Sequence, residues 1–338
     1  MSTLHGVAPT LDDVAEAAGV SRSTASRAIN GGERVSPTAQ AAVDAAVARL
    51  GYAPNRAARS LVTRRTDSIA LVVPEPDAKI LTDPFLGGVL RGVNDALADT
   101  ELQLVLLLAR PGEQPGHLTR YLRSGHVDGA IVASHHRGDQ LEVELAKDPL
   151  PVVFVGRPFD GGNMPYVDVD NTAGGHAAAR RLVSRGCRRI ATITGPLDMP
   201  AALDRFDGWR QALGEASLSA DAVANGDFTV DGGAAAMRQI LAEHPEVDGV
   251  FAASDLMAAG ALDVLREHGR RVPQDVAVVG FDNLGMAEHL SPRLTTVQNP
   301  VVQMVSAAAA TLLDMLAGAA PPDRPKVLEP HLVEGDSA

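Results

Sequence analysis

From Ser68 onward, short apolar runs alternate with longer stretches of helical periodicity, and this alternation restricts the fold more than any other feature. Ile69–Val73, Leu102–Leu108, Gly129–Ala133 and Val152–Val155 read as strands, with helical stretches near 85–98, 114–124 and 139–147 between them. A second series places strands near 189–194, 248–252 and 276–280 and helices near 172–185, 201–216, 232–243 and 255–268. Strands apolar on both faces need helices over both faces, which is the economy of a parallel, doubly wound sheet. Two such series, each of about 100 residues, predict two similar subdomains facing one cleft.

The first sixty residues follow a different pattern. Thr10 can cap a helix whose first turn carries Asp12 and Asp13, where the helix dipole favours acids. Leu11, Val14, Ala15 and Ala18 recur at helical spacing, and Gly19 supplies the turn. Ser21 can cap a second helix with Ala25, Ala28 and Ile29 inward and Arg22, Ser23, Ser26 and Arg27 outward; Asn30-Gly31-Gly32 stops it. Ser36-Pro37 starts a third helix that runs to Leu50, with Val43, Val47 and Leu50 inward and Gly51 at its end. Two short helices on a tight turn, covered by a third, make a helix-turn-helix. Such a head holds one helix proud enough to place polar side chains on base edges in the major groove.

Charge agrees with that division. Residues 1–66 carry eight arginines against five acids, a net +3, whereas the chain's formal charge is −12, leaving −15 to the rest. Only the head is suited to a polyanion. A single cysteine, Cys187, excludes a disulfide framework and a Cys-rich zinc module. No apolar stretch is long enough to span a bilayer, and Met1–Thr10 shows no secretory signal, so a cytoplasmic protein without membrane contact is expected.

The order Thr10-Leu-x-x-Val-Ala-x-x-Ala-Gly-Val-Ser-x-x-Thr-x-Ser-Arg-x-Ile-Asn30, then Val35-Ser, Leu50-Gly-Tyr and Pro54-Asn-Arg56, resembles the LacI/GalR family of bacterial regulators. The resemblance continues through Asp83-Pro-Phe85, Val127-Asp-Gly129, Asp170-Asn-x-x-Gly-Gly175, Arg205-x-x-Gly-Trp209, Ser254-Asp255, Val272-Pro-Gln-Asp275, Val279-Gly-Phe-Asp282 and Leu294-Thr-Thr-Val297. It implies an all-α helix-turn-helix headpiece (1–53), a hinge helix and linker (54–67) and an effector-binding domain (68–338) of the periplasmic-binding-protein type. Within that domain the N-subdomain would comprise 68–168 and 298–325, and the C-subdomain 169–295 and 326–334.

The resemblance makes Ser21–Asn30 the recognition helix, with Arg22 and Ser23 reading bases, Arg27 behind them, and Thr10 and Ser21 on phosphates. The DNA-contacting set is Thr10, Ser21, Arg22, Ser23, Ser26, Arg27 and Asn30, together with Asn55, Arg56, Arg59 and Leu61 of the hinge. Pro54–Thr63 is Ala- and Arg-rich but too short to hold a helix alone in water, so it needs a stabilising partner. In the family such a helix forms on DNA and wedges a leucine, here Leu61, into the minor groove. The alternative is an ordinary linker with Leu61 docked on the body.

Ligands in open α/β sheets sit beyond the carboxyl ends of the strands. Asp282 and Ser254-Asp255 follow strands there, and Arg205 lies early in the helix after the strand ending at Thr194. Asp and Arg supply the charge-assisted acceptor and donor that a polyhydroxy ligand needs. The effector-contacting set is Phe85, Arg205, Trp209, Ser254, Asp255, Phe281 and Asp282, although Asp255 could instead cap the helix it begins. Two departures from the family stand out. Gly156 occupies a rim position where many relatives carry an acid, and Pro74–Leu81 is longer than usual before Asp-Pro-Phe.

An enzyme reading finds no Gly-x-Ser-x-Gly elbow and no phosphate loop, and Asp170–His176 matches a dinucleotide fingerprint only loosely. His135-His136 lacks further ligands at metal spacing and reads as a solvated loop. A secreted sugar-binding protein would share the large domain but not the head. The expected function is therefore a sequence-specific regulator, a repressor in most of the family, that needs no cofactor or metal. Its partners are double-stranded operator DNA, a carbohydrate effector and a second copy of itself. No apolar heptad tail precedes Ala338, which favours a homodimer over a tetramer.

Overall fold

The computed structural model describes residues 9–30, 35–53, 65–75, 82–108, 116–159 and 164–338. The chain forms two compact units that divide between Thr66 and Asp67.

The first unit contains α1 (Leu11–Ala18), α2 (Arg22–Ile29) and α3 (Pro37–Leu50). Thr10 and Asp13 close a reciprocal capping box on α1, and Gly19 ends the helix at φ +66°, a left-handed conformation that suits glycine. Ser21 caps α2 and Ser36 caps α3, each accepting a backbone N–H. Val14, Ala15, Ala25, Ala28, Val43 and Ala46 form the core. These small side chains let the helices approach closely. Arg49 ties α3 to α1 by donating to the Ala17 carbonyl at 3.2 Å.

In the second unit β1 (Ser68–Val73), α4 (Pro84–Leu97), β2 (Gln103–Leu108), α5 (His117–Arg123), β3 (Gly129–Ala133), α6 (Leu141–Leu145), β4 (Val152–Val155) and β5 (Tyr166–Val169) come first. Then follow α7 (Asn171–Ser184), β6 (Ile190–Thr194), α8 (Pro200–Glu215), β7 (Val223–Asn225), α9 (Val230–Glu243), β8 (Gly249–Ala252), α10 (Asp255–Glu267) and β9 (Ala277–Asp282). The unit ends with β10 (Thr295–Gln298), α11 (Val301–Leu316), β11 (Lys326–Leu328) and β12 (His331–Val333).

Two six-stranded sheets result, ordered β2-β1-β3-β4-β5-β11 and β7-β6-β8-β9-β10-β12. Every pairing is parallel except β10 with β12. The halves thus repeat one strand order, and in each the order reverses beside the first strand of its series, which opens a crevice at the carboxyl ends. Period-2 alternation along β1 explains the two-sided covering. Ile69, Leu71 and Val73 pack with residues of α4 and α11, while Ala70 and Val72 pack with Leu122 of α5 and Leu141 and Leu145 of α6.

The chain passes between the halves after β5, after β10 and after β11. One expectation needs correction here. Residues 326–334 do not all join the C-subdomain. Lys326–Leu328 pairs parallel with Val167–Val169, and the Asp170 N–H donates to the Leu328 carbonyl at 2.9 Å. Only His331–Val333 reaches the second sheet, antiparallel to Thr296–Gln298. The open edge of β5 needed hydrogen-bond partners, and the final segment supplies them before crossing. Among the described residues no helix is long and apolar enough to cross a membrane.

Candidate functional site

In the head, the outer face of α2 is polar and accessible. Ser21, Arg22, Ser23, Arg27 and Asn30 are exposed, and Ser26 is half-buried. Arg22 pairs with Asp12 at 3.1 Å, with both side chains about two-thirds exposed. Arg27 donates to the Ser23 carbonyl at 3.1 Å, and Asn30 to that of Ser26 at 2.8 Å. Thr10 donates through its hydroxyl and N–H to Asp13, which holds the Asp13 carboxyl below the usual carboxylate range. Asn55, Arg56, Arg59 and Leu61 lie outside the described residues, as does Ile80-Leu81 with the rest of 76–81.

In the large unit a cleft of about 740 Å³, open to solvent, lies beyond the carboxyl ends of both sheets. Phe85, Arg205, Ser254 and Asp282 of the expected set line it. Their positions follow from local chemistry. Asp83 caps α4 by accepting the Phe85 N–H at 2.9 Å. Ser254 caps α10 through the Met257 N–H. Asp282 ends β9 at φ +112°, which is strained for a residue with a Cβ and is the kind of strain that collects at ligand sites.

Arg205 reaches the cleft because α7 and α8 touch backbone to backbone. A Cβ on Gly175 would overlap the Arg205 carbonyl oxygen, and one on Gly208 would overlap that of Thr172. The two glycines of the sequence pattern are therefore contact points between helices. Held there, Arg205 is buried and donates to Asn171 Oδ1 at 2.8 Å and the Ala253 carbonyl at 2.6 Å. Its Nη1 lies 3.4 Å from Asp282 Oδ1. Burial lowers the Arg205 pKa, opposed by the charges of Asp282, Asp168 and Asp255; burial raises that of Asp282, opposed by Arg205.

Trp209, Asp255 and Phe281 do not line the cleft. Trp209 is fully buried and stacks on Phe206 with centroids 5.7 Å apart, because its place on α8 faces the core. Phe281 is also fully buried; its ring lies beneath the Arg205 guanidinium at 3.7 Å. Asp255 neither caps its helix nor faces the cleft. It turns inward, accepting the Thr296 hydroxyl at 2.6 Å and the Asn283 N–H at 2.8 Å, and so fixes the turn that presents Asp282. Burial pushes its carboxyl up to about 7.

Several lining residues were not anticipated. Asp168, at the end of β5, accepts the N–H groups of Arg157 and Val169 and the Asn171 amide, and burial raises it to about 6. Asn171 links it to Arg205, and Asn299 donates to Asp282 at 3.2 Å, while its own buried Oδ1 has no partner among the described residues. His135 and Gly156 also line the cleft, after β3 and β4. The expected solvated loop at His135-His136 is not one: His135 is 3% exposed, and His136 lies 3.0 Å from Asp198 and 3.2 Å from Glu75. With the Arg157–Asp204 pair at 2.8 Å, the His136–Asp198 contact ties the two halves together beside the cleft.

A small three-helix head with an exposed polar helix, joined to a two-sheet unit with a cleft at the carboxyl ends of its strands, defines a ligand-responsive DNA-binding regulator. Residues 10–55 match the family of bacterial regulatory proteins, lacI family, and residues 179–338 a periplasmic binding protein-like domain. The HTH-type transcriptional regulator CelR of Thermobifida fusca is 48% identical over 333 residues, 97% of this chain and 98% of CelR. A solved CelR–cellobiose complex has a TM-score of 0.78 and 46% identity, covering 98% of this chain and 100% of that one. The lac repressor dimer bound to operator and the anti-inducer ONPF has a TM-score of 0.87 at 28% identity, with 98% and 99% coverage. The chain belongs to the lacI family of bacterial regulatory proteins and is a DNA-binding transcriptional regulator.

Proposed function

We propose that this regulator is a cytoplasmic repressor, not an enzyme, and that a neutral carbohydrate in the cleft controls its grip on operator DNA. Cellobiose is the first candidate, since the CelR complex holds it. The observation that carries the reading is the side-by-side placement of Arg205 and Asp282 in the cleft. A donor and an acceptor at 3.4 Å suit the paired hydroxyls of a sugar. Arg205 is already committed to Asn171, Ala253 and Asp282, so it is poorly placed to neutralise an anionic ligand.

Phe85, Arg205, Ser254 and Asp282 are the proposed effector contacts; Phe281 and Asp255 support Arg205 and Asp282 from behind. In the head, Arg22 and Ser23 read bases, with Ser26, Arg27 and Asn30 beside them and Thr10 and Ser21 near phosphates. Asn55, Arg56, Arg59 and Leu61 act in the segment 54–67. Two heads in a homodimer would each read half of an inverted repeat. Effector changes operator affinity by binding one arrangement of the two halves better than the other.

The test is selection of bound duplexes from a random pool, followed by titration of the selected site with cellobiose, glucose and ribose. An inverted repeat released by cellobiose is expected. A selected pool without symmetry would refute the dimeric reading. Indifference to every neutral sugar would refute the effector.

A further inference from the structure

His135 sits at the carboxyl end of β3, lines the cleft and is 3% exposed. Its Nε2 lies 3.2 Å from the Arg157 carbonyl oxygen and 3.2 Å from Glu142 Oε1. Both of those atoms only accept, so Nε2 carries the hydrogen and donates. In the neutral imidazole Nδ1 is then a bare acceptor. That atom is buried and has no hydrogen-bond partner among the described residues. Phe154 and Phe159 pack edge-on against the ring, with centroids 5.2 and 6.4 Å away.

Buried acceptors are ordinarily satisfied, and one left over at a ligand cleft calls for a donor from outside the chain. Beside the ring lies Gly156, which lines the same cleft. A Cβ there would lie 3.7 Å from His135 Cε1, the carbon between the two ring nitrogens. Any longer side chain at 156 would cover that edge of the imidazole. We propose that His135 is a specificity-determining residue of the effector cleft, its Nδ1 accepting a hydrogen bond from a hydroxyl of a neutral sugar that reaches it past Gly156. The inference rests on the carbohydrate reading above and adds to it a polarity that holds for the uncharged ring: at this end the ligand donates. A group that only accepts, such as a phosphate or a carboxylate, leaves Nδ1 unsatisfied.

Two replacements separate the ring's two nitrogens. His135→Gln can keep a donor near the place of Nε2, toward Arg157 and Glu142, but offers nothing at Nδ1. His135→Asn places its amide oxygen near Nδ1 and gives up the Nε2 donor. Cellobiose and its monodeoxy analogues are the probes, with binding measured by calorimetry on full-length protein and thermal unfolding followed in parallel. Cellobiose should bind the Gln variant about tenfold more weakly than wild type, and the Asn variant more tightly than the Gln variant. One deoxy analogue should lose about tenfold on wild type yet bind the Gln variant as well as cellobiose does. The ratio of the two sugars on one variant is unaffected by a loss of stability common to both.

Equal cellobiose affinity for wild type and the Gln variant would overturn the assignment while leaving the carbohydrate reading intact. So would a set of analogues in which none shows that coupling. Wild type that binds no neutral sugar at all would overturn both together.

Discussion

The guanidinium carbon of Arg205 lies 3.7 Å from the centre of the Phe281 ring, so the cation that faces the cleft rests on an aromatic floor. A planar fork can stack and donate in two directions at once, which the point charge of a lysine cannot do. Arg205→Lys should therefore weaken effector binding about tenfold to a hundredfold, the range expected when a charged hydrogen-bond partner is lost. Arg205→Ala should also lower stability by on the order of 3 kcal/mol, because Asp282 stays buried without its cation. Calorimetric affinity and thermal unfolding on the two variants check this. Wild-type affinity in Arg205→Lys would remove the residue from the site.

Asp255 gives a dependence on pH. Its carboxyl is raised from an ordinary 3.8 to about 7 in the folded protein, chiefly by burial and then by the charge of Asp282. The folded state thus holds a proton between about pH 4 and 7 that the unfolded chain has released. This contribution to stability is complete below about pH 4 and is lost as pH rises through 7. Asn mimics the protonated acid, with its amide toward the Thr296 hydroxyl and its oxygen toward the Asn283 N–H. Asp255→Asn should therefore flatten the fall in melting temperature between pH 5 and 7. Part of the slope should remain, since Asp168 is raised to about 6 in the same sense. An unchanged slope in the variant would show that Asp255 is ionised throughout.

Much of this was legible from pattern, and the exceptions share a cause. Caps and glycine turns placed the head's helices closely: Ser36-Pro37 begins α3 and Gly51 ends it, as the residues imply. Runs apolar on both faces marked β1, β3 and β4. Tyr166-Val-Asp-Val169 and Thr295-Thr-Val-Gln298 carry no clear strand signal because Asp168, which lines the cleft, and Thr296, which donates to Asp255, interrupt the apolar run. Position at a strand's carboxyl end identified Asp282 and Ser254. Applied to β3, it would have identified His135 in place of a solvated loop. Trp209 shows the limit of that reasoning, since four residues along α8 from Arg205 did not bring it to the same environment.

Two arginines of the head differ in their surroundings. Arg22 is exposed, and its pair with Asp12 is a surface ion pair that contributes little to the fold. Arg22→Ala should leave headpiece unfolding unchanged and relax preference at one operator position by about 1–3 kcal/mol. Arg49 instead holds the Ala17 carbonyl from α3. Arg49→Ala should lower the headpiece melting temperature with no change in base preference. Selection from randomised operators, run on both variants, separates the roles. Unaltered discrimination in Arg22→Ala would mean that α2 does not present this residue to the bases.

A tight backbone approach in the C-terminal half joins Gly175 of α7 to the backbone of Arg205 on α8. An alanine methyl at 175 would overlap the Arg205 carbonyl oxygen and lie 2.8 Å from its carbon. Neither atom can rotate away, so relief requires the helices to part, and parting them draws the guanidinium off Phe281 and away from Asn171. Overpacking of this kind costs roughly 1–3 kcal/mol in cores where side chains can yield, and here backbone must move. Gly175→Ala should thus lower both the melting temperature and effector affinity. Gly214 on the same α8 is exposed, with nothing within 4 Å of a Cβ placed there. Gly214→Ala should stabilise by up to about 1 kcal/mol through helix propensity and leave effector affinity alone. Thermal unfolding and calorimetry on the pair test the claim that helix contact sets the position of Arg205. It would not survive a Gly175→Ala protein that matched wild type in both measurements.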